Sequence, residues 1–363
     1  MLAFVSTRKG RARQMFKLII NGKFLSQRIT GVQRYASETL RCFLDRDDLE
    51  IVVIVPSNAA IPDYIRSSQN VKVVYGKRKG YLWEQWELPK LCKKEGKHIP
   101  LLSMCNISPS FFKDSFVILH DTTFKNKSKY NSKLWSARYK CIVRSFIYKV
   151  KKIFTDSVFS QSEILKFYRR KKEDVIVLYA GNEHIKQMTL TPVKLPFDDY
   201  YLSVGSVNKN KNFDFILELA RSNPEKHFVI VGNINTDYTN YINEHHIHNC
   251  VFAGRVSDEE LSYLYKNCIG FIYPSFYEGF GLTPLEAVAS NCKTLYLSSI
   301  PVFKELYNGF NVNFFDPYDV SSFSFDKAKH LTENEIVMLK NKYSWKNVSD
   351  LIIQTMKGYY HEK

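Results

Sequence analysis

The chain has 363 residues, enough for two domains that each bury a core. Hydrophobic content of 45% and aromatic content of 15% exclude a disordered chain. No apolar run approaches the roughly 18 residues of a membrane-spanning helix. Fifty-two basic against 36 acidic side chains give a net charge of +16, and seven scattered cysteines form no Cys-x-x-Cys pair. An odd, unpaired set excludes a disulfide framework and a zinc ribbon and fits a reducing cytoplasm. Residues 1–14 are basic, with too short an apolar patch for a secretion signal. They are a candidate extension, with Met15 a candidate start, because Phe16–Ile20 already reads as a strand.

Asn21–Thr30 is a polar loop, and Gly31 opens a helix to about Leu44. A glycine at a helix N-terminus after a strand is a place for an anion, or simply a helix start. Asp45-Arg46-Asp47 has the form of a metal-binding Asp-x-Asp but lies at a helix end before the strand Ile51–Val55, so it reads as a surface turn. Val71–Tyr75 is a further strand. Tyr81–Pro89, YLWEQWELP, is aromatic and helical, core or interface by composition. Ser115–Leu119 is an apolar strand that delivers His120 and Asp121 at its carboxyl end, where open α/β sheets hold ligands. A lone histidine there is either a structural residue or a site group. Asp121 orients the loop or holds a proton of His120.

Residues 123–172 carry fifteen Lys or Arg and two acidic residues, a local surplus of +13. Such a segment suits an anionic membrane surface, nucleic acid, or solvent alone. Within it Lys133–Val150 reads as a helix and Ile153–Ser160 as a strand with a capped helix start. Asp174–Tyr179 closes the first half, and 184–198, with two prolines and little periodicity, reads as a linker.

The second half starts with the strand Tyr200–Val204, then Gly205, Ser206 and the basic turn Lys209-Asn210-Lys211-Asn212 before a helix to about Ala220. Strand, glycine and lysines before a helix make a second anion site, or a Lys-rich surface turn. His227–Val231 is a strand. His245, His246 and His248 lack a carboxylate or cysteine at ligand spacing and read as a surface helix end. Val251–Gly254 is a strand, and Ser257-x-x-Glu260 caps the next helix.

Ile269–Tyr273 is a buried strand feeding Ser275–Asn291, SFYEGFGLTPLEAVASN. Gly279 and Gly281 permit a tight turn and close approach of a ligand. Thr283 as N-cap, Pro284 at the first helical position and Glu286 beyond mark a helix start. Its N–H groups and dipole suit a phosphate. Glu278 and Glu286 bracket that point with seven residues between them. Spacing leaves two readings open. Glu286 closes its own helix as a capping box beside a solvated Glu278, or both carboxylates accept hydroxyls of a nucleotide sugar. Lys293–Leu297 is a strand, Val302–Leu306 a helix, and 343–361 an amphipathic tail.

The Glu-x7-Glu spacing around Gly-Phe-Gly-Leu, running on through Ile300–Glu305 to Phe315-Asp316-Pro317, resembles the signature of GT4-type retaining glycosyltransferases (glycosyl transferases group 1). ITGVQRY at 29–35, VILHDTTF at 117–124 and IFTDSVFS at 153–160 are similar to further family segments. Tyr81–Pro89 and Leu101–Pro109 resemble the bacterial polysaccharide branch. The resemblance covers nearly the whole chain from about residue 15.

It implies an α/β GT-B fold, two facing Rossmann-like domains with a deep interdomain cleft. Residues 15–183, joined by a C-terminal helix 345–363, would hold the acceptor, and 199–344 the nucleotide sugar. Residues in catalytic roles would be His120 by the sugar, Glu278 on a sugar hydroxyl and Lys211 on the leaving diphosphate. Gly31, Asp121, Ser206, Val256, Phe280, Gly281, Leu282, Thr283 and Glu286 would bind substrate, Glu286 through the ribose. Ser206 and Asn210 depart from an arginine that relatives carry there, and Lys209 is a candidate substitute. No cofactor and no catalytic metal are expected. The implied activity is hexose transfer, GDP-mannose first, with UDP-hexoses and deoxysugar donors open, to a lipid-linked glycan of O-antigen or capsule. It would take place at the inner face of the cytoplasmic membrane, which residues 123–172 would dock. A GT-B epimerase and a basic membrane or nucleic-acid adaptor are the alternatives.

Overall fold

Runs such as LEIVVIV at 49–55 and GFIY at 270–273, buried on both faces, are the mark of parallel strands covered by helices on either side. The computed structural model describes residues 2–5, 13–125, 132–186, 188–206, 208–233 and 236–361. It contains two units, the first ending at Ala180 and including the C-terminal helix, the second Gly181–Ser344.

The first unit holds β1 (Leu2–Val5), β2 (Arg13–Asn21), β3 (Leu49–Val55), β4 (Val71–Tyr75), β5 (Leu101–Ser103), β6 (Ser115–Ile118), β7 (Ile153–Thr155) and β8 (Val175–Val177). Their order is β4-β3-β2-β5-β6-β7-β8, all parallel, with β1 antiparallel on the start of β2. The expected extension thus supplies a strand, and β2 begins at Arg13 rather than Phe16. The expected helix Tyr81–Pro89 is interrupted by a π-helical turn at Trp83–Glu87. That turn buries Glu84 against Lys23 and against Asn21 Nδ2, 3.0 Å away. The helix Trp345–His361 belongs to this unit. Trp345 packs edge-on against Tyr35 at 5.0 Å, and Lys357 reaches Asp48 at 2.6 Å. Asp45 only ends the helix Gly31–Leu44, and Arg46 is engaged by Asp48 and Asp350, which leaves a surface turn.

The second unit holds β9 (Tyr201–Val204), β10 (Phe228–Val231), β11 (Cys250–Gly254), β12 (Gly270–Tyr273), β13 (Leu295–Ser298) and β14 (Asn313–Phe315). The order β11-β10-β9-β12-β13-β14 is parallel throughout. The chain winds outward from β9 through β11, then restarts on the other side at β12. The reversal opens a crevice between the ends of β9 and β12, where doubly wound sheets bind ligands. The expected linker is corrected at its start. Residues from Gly181 belong to this unit and Glu183–Lys186 is helical, because Asn182 and His184 are bonded to its side chains and backbone.

Candidate active site

The loops after β9 and β12 meet at that reversal. After β9 the stem of Lys211 lies along the strand end, its Cγ 3.4 Å from where a Cβ on Gly205 would sit, an ordinary contact. Asn212 takes a left-handed conformation (φ 55°), which asparagine tolerates better than most residues. Its amide donates to the carbonyls of Pro274 (3.1 Å) and Pro317 (2.9 Å), tying the β9 loop to those after β12 and β14. Asn210 is buried and donates to Tyr277 O at 2.6 Å. In place of a projecting cation this position clamps the glycine loop. Ser206 and Lys209 are exposed on the same turn.

These ties aim Lys211. Its Nζ lies 2.7 Å from Glu278 Oε1 and 2.7 Å from Tyr273 Oη. Burial by itself would lower the lysine pKa, but the Glu278 carboxylate and the Tyr273 oxygen outweigh it and raise it, so the ammonium stays charged. An ammonium has three N–H donors, so one is left for a ligand. Tyr273, the last residue of β12, is pushed up by burial and by Glu278 and remains a phenol.

Gly281 sits at φ 96°, and a Cβ there would meet Phe303 Cε1 at 2.4 Å. Only glycine fits that backbone at that distance. The helix starts one residue later, at Leu282, so the expected N-cap Thr283 and first-position Pro284 are the second and third helical residues. The cause is Gly281, whose left-handed turn begins the helix earlier than the threonine would. Proline is still tolerated, because first-turn N–H groups have no partner within the helix. The N–H groups of Leu282 and Thr283 remain as donors at this end. Phe280 is buried, edge-on to Tyr343 at 5.7 Å.

The capping-box reading of Glu286 is not what the helix shows. Its Oε1 lies 3.1 Å from His184 Nε2, and its Oε2 accepts from Tyr265 Oη at 3.3 Å. Burial, then the Glu286 charge, holds the Tyr265 phenol well above its ordinary value, so it stays a donor. Val256 is half-buried in the loop between β11 and the helix Asp258–Asn267, which Ser257 and Glu260 cap reciprocally (2.7 and 3.2 Å).

In the first unit Gly31 is exposed at the start of its helix, and a Cβ would meet nothing within 4 Å. The space over it is open. His120 is 4% exposed. Its Nδ1 lies 2.7 Å from Asp156 Oδ2 and its Nε2 2.9 Å from Met104 O. As the doubly protonated imidazolium the ring donates to both. Burial would lower its pKa, but Asp156 and the Met104 carbonyl outweigh that and raise it. The His120 ring spans the ends of β5 and β7. Asp121 accepts from Thr123 N (2.8 Å) and Oγ1 (2.7 Å), so it orients the loop, and the partner of His120 is Asp156. Asp156, Tyr273, Tyr265 and His184 went unread in the sequence. Asp156 and Tyr273 stand at strand ends, a signal that could have found them; His184 stood in the expected linker.

Two parallel α/β units, each a doubly wound sheet, define the GT-B fold class. Residues 194–336 match the family described as Glycosyl transferases group 1. The O-antigen chain mannosyltransferase RfbU of Salmonella typhimurium is 23% identical over 327 residues, 80% of this chain and 85% of that protein. Among solved structures, sucrose-phosphate synthase from Thermosynechococcus elongatus superposes with a TM-score of 0.73 at 13% identity, covering 96% of this chain and 99% of that one. Anabaena HepE in complex with UDP and glucose gives a TM-score of 0.67 at 15% identity, covering 94% and 99%. The second unit carries a Glycosyl transferases group 1 domain.

Proposed function

We propose that the chain transfers a hexose, with retention at the anomeric carbon, from a nucleotide sugar to a lipid-linked oligosaccharide of a bacterial O-antigen or capsule. The observation that carries this reading is the Lys211 ammonium, held by Glu278 and Tyr273 beside the Leu282 helix start. Lys211 and the N–H groups of Leu282 and Thr283 receive the departing diphosphate. Preorganised donors of this kind are worth about 2.7–4 kcal/mol each in the transition state. The second oxygen of Glu278 accepts a hydroxyl of the sugar, and Glu286 accepts the ribose. Ser206, Val256, Phe280 and Gly281 shape the walls. The glycosyl C–O bond breaks with its electron pair on the diphosphate. The acceptor oxygen bonds to the same face of the carbon and its proton passes to the departing oxygen. His120, Asp156 and Asp121 hold the acceptor-side loops in place. The lysine supplies the charge a metal would otherwise bring, so the reaction is expected to run without one.

GDP-mannose is the first donor to test, supported by the likeness to a mannosyltransferase of O-antigen; UDP-hexoses and deoxysugar donors follow. No helix among the described residues is long and apolar enough to cross a membrane. We place the protein in the cytoplasm, peripheral on the membrane through the basic segment 123–172, of which 126–131 lie outside the described residues. A thermal-shift panel of nucleotide sugars, then transfer to a polyprenyl-linked acceptor in excess chelator, tests this. Transfer from one donor supports it. Donor isomerised without acceptor indicates an epimerase, and activity lost to chelator and restored by metal contradicts the lysine-based reading.

A further inference from the structure

A pocket of about 390 Å³ opens on the first unit, walled by Lys125, Arg144, Arg169, Tyr148, Phe167 and Tyr168. Three cations and three rings line it, and no carboxylate does. Lys125 Nζ lies over the rings of Tyr168 (4.6 Å) and Phe167 (5.5 Å). Burial, then the charges of Lys140 and Arg144, hold that ammonium below its ordinary value. Like charges crowded in a partly dry pocket are relieved by an anion. The helix Lys133–Phe146 beside it presents Leu134 (82% exposed) and Trp135 (44%) to solvent, and Tyr148 follows at 50%. Large exposed apolar side chains and arginines carried by one helix suit a lipid headgroup layer. A nucleic acid would satisfy the cations and leave Leu134 and Trp135 against water.

We propose that this pocket seats the phosphate headgroup of an anionic membrane lipid, while Leu134 and Trp135 enter the acyl boundary. The inference rests on the membrane partner proposed above and narrows a whole basic segment to one pocket. It assigns the docking cations as Lys125, Arg144 and Arg169.

The test is flotation of the full chain, without donor or acceptor, with vesicles of phosphatidylglycerol in phosphatidylcholine and of phosphatidylcholine alone. A basic residue near an anionic surface is worth about 1 kcal/mol, roughly fivefold in binding. The triple variant Lys125→Ser, Arg144→Ser, Arg169→Ser is therefore expected to bind anionic vesicles roughly 100-fold more weakly. The charge-matched triple Lys133→Ser, Arg138→Ser, Lys172→Ser, all exposed, should lose much less. Arg144→Gln alone, on a solvent-facing helix position, should lose about fivefold. Equal loss from both triples overturns the pocket and leaves the membrane reading. A native chain that ignores anionic vesicles overturns both. Displacement by millimolar inorganic phosphate at constant ionic strength, or tighter binding to an oligonucleotide through the same three residues, overturns the lipid assignment. Glycosyl transfer to a detergent-dispersed acceptor, unchanged in the pocket triple, separates failure here from failure of the catalytic reading.

Discussion

The Lys211–Glu278 pair gives the sharpest energetic test. At 2.7 Å the Coulomb attraction is about 6 kcal/mol at an effective dielectric of about 20. The side chains are 19% and 13% exposed, so desolvation offsets most of that, leaving about 1.5–3 kcal/mol for a charged hydrogen bond. Removing one partner strands the other. Lys211→Met leaves a carboxylate near Tyr273 without its cation, a loss of about 3–5 kcal/mol. Glu278→Leu costs less, because Lys211 keeps the Tyr273 oxygen. The double variant should fall short of the summed losses by about 1.5–3 kcal/mol. Native-state hydrogen exchange of peptides covering 270–289 measures the opening free energy locally. Lys211→Met should speed exchange there by about 100-fold or more, at roughly tenfold per 1.4 kcal/mol. Losses that add within about 0.5 kcal/mol would show that the two groups do not act as a pair.

Further outcomes follow from the same geometry. Gly281→Ala forces a left-handed alanine, about 1–2 kcal/mol, and a clash with Phe303, about 1–3 kcal/mol. A loss of about 2–5 kcal/mol in urea unfolding is expected, and an unchanged midpoint would reject the close approach. Glu286→Ala should weaken donor binding in calorimetry by about 1.5–3 kcal/mol. Unchanged affinity would assign Glu286 to holding His184 and Tyr265 alone. The raised pKa of His120 means its pairing stabilises the fold fully below the unfolded value, about 6.5, and is lost as pH climbs through the folded value. All four tryptophans (83, 86, 135, 345) lie in the first unit, so their fluorescence reports it. The urea midpoint should fall above about pH 6.5 in the native chain and stay flatter in His120→Gln; equal slopes would reject the imidazolium.

Periodicity and composition carried the parallel strands, because strands buried on both faces leave unbroken apolar runs. β5 and β14, three residues each, escaped. The glycine loop and both glutamates were legible because backbone geometry restricts those positions to few residue types. The helix start was misplaced because Thr283 and Pro284 mimic a cap that Gly281 makes unnecessary. The surroundings of His120 were not legible, since Asp156 and Met104 come from other strands and only the sheet order brings them together. The Glu286 partners were hidden for the same reason, with His184 lying 102 residues away in sequence.

The central claim is that the second unit grips a nucleoside diphosphate with the Lys211 turn and the Leu282 helix start. Hydrogen-exchange footprinting of the full chain, with and without GDP or UDP in chelator, tests it most directly. Slower exchange in 205–213 and 274–289, abolished in Lys211→Met, is the expected result. Protection elsewhere with those two segments unchanged would contradict it.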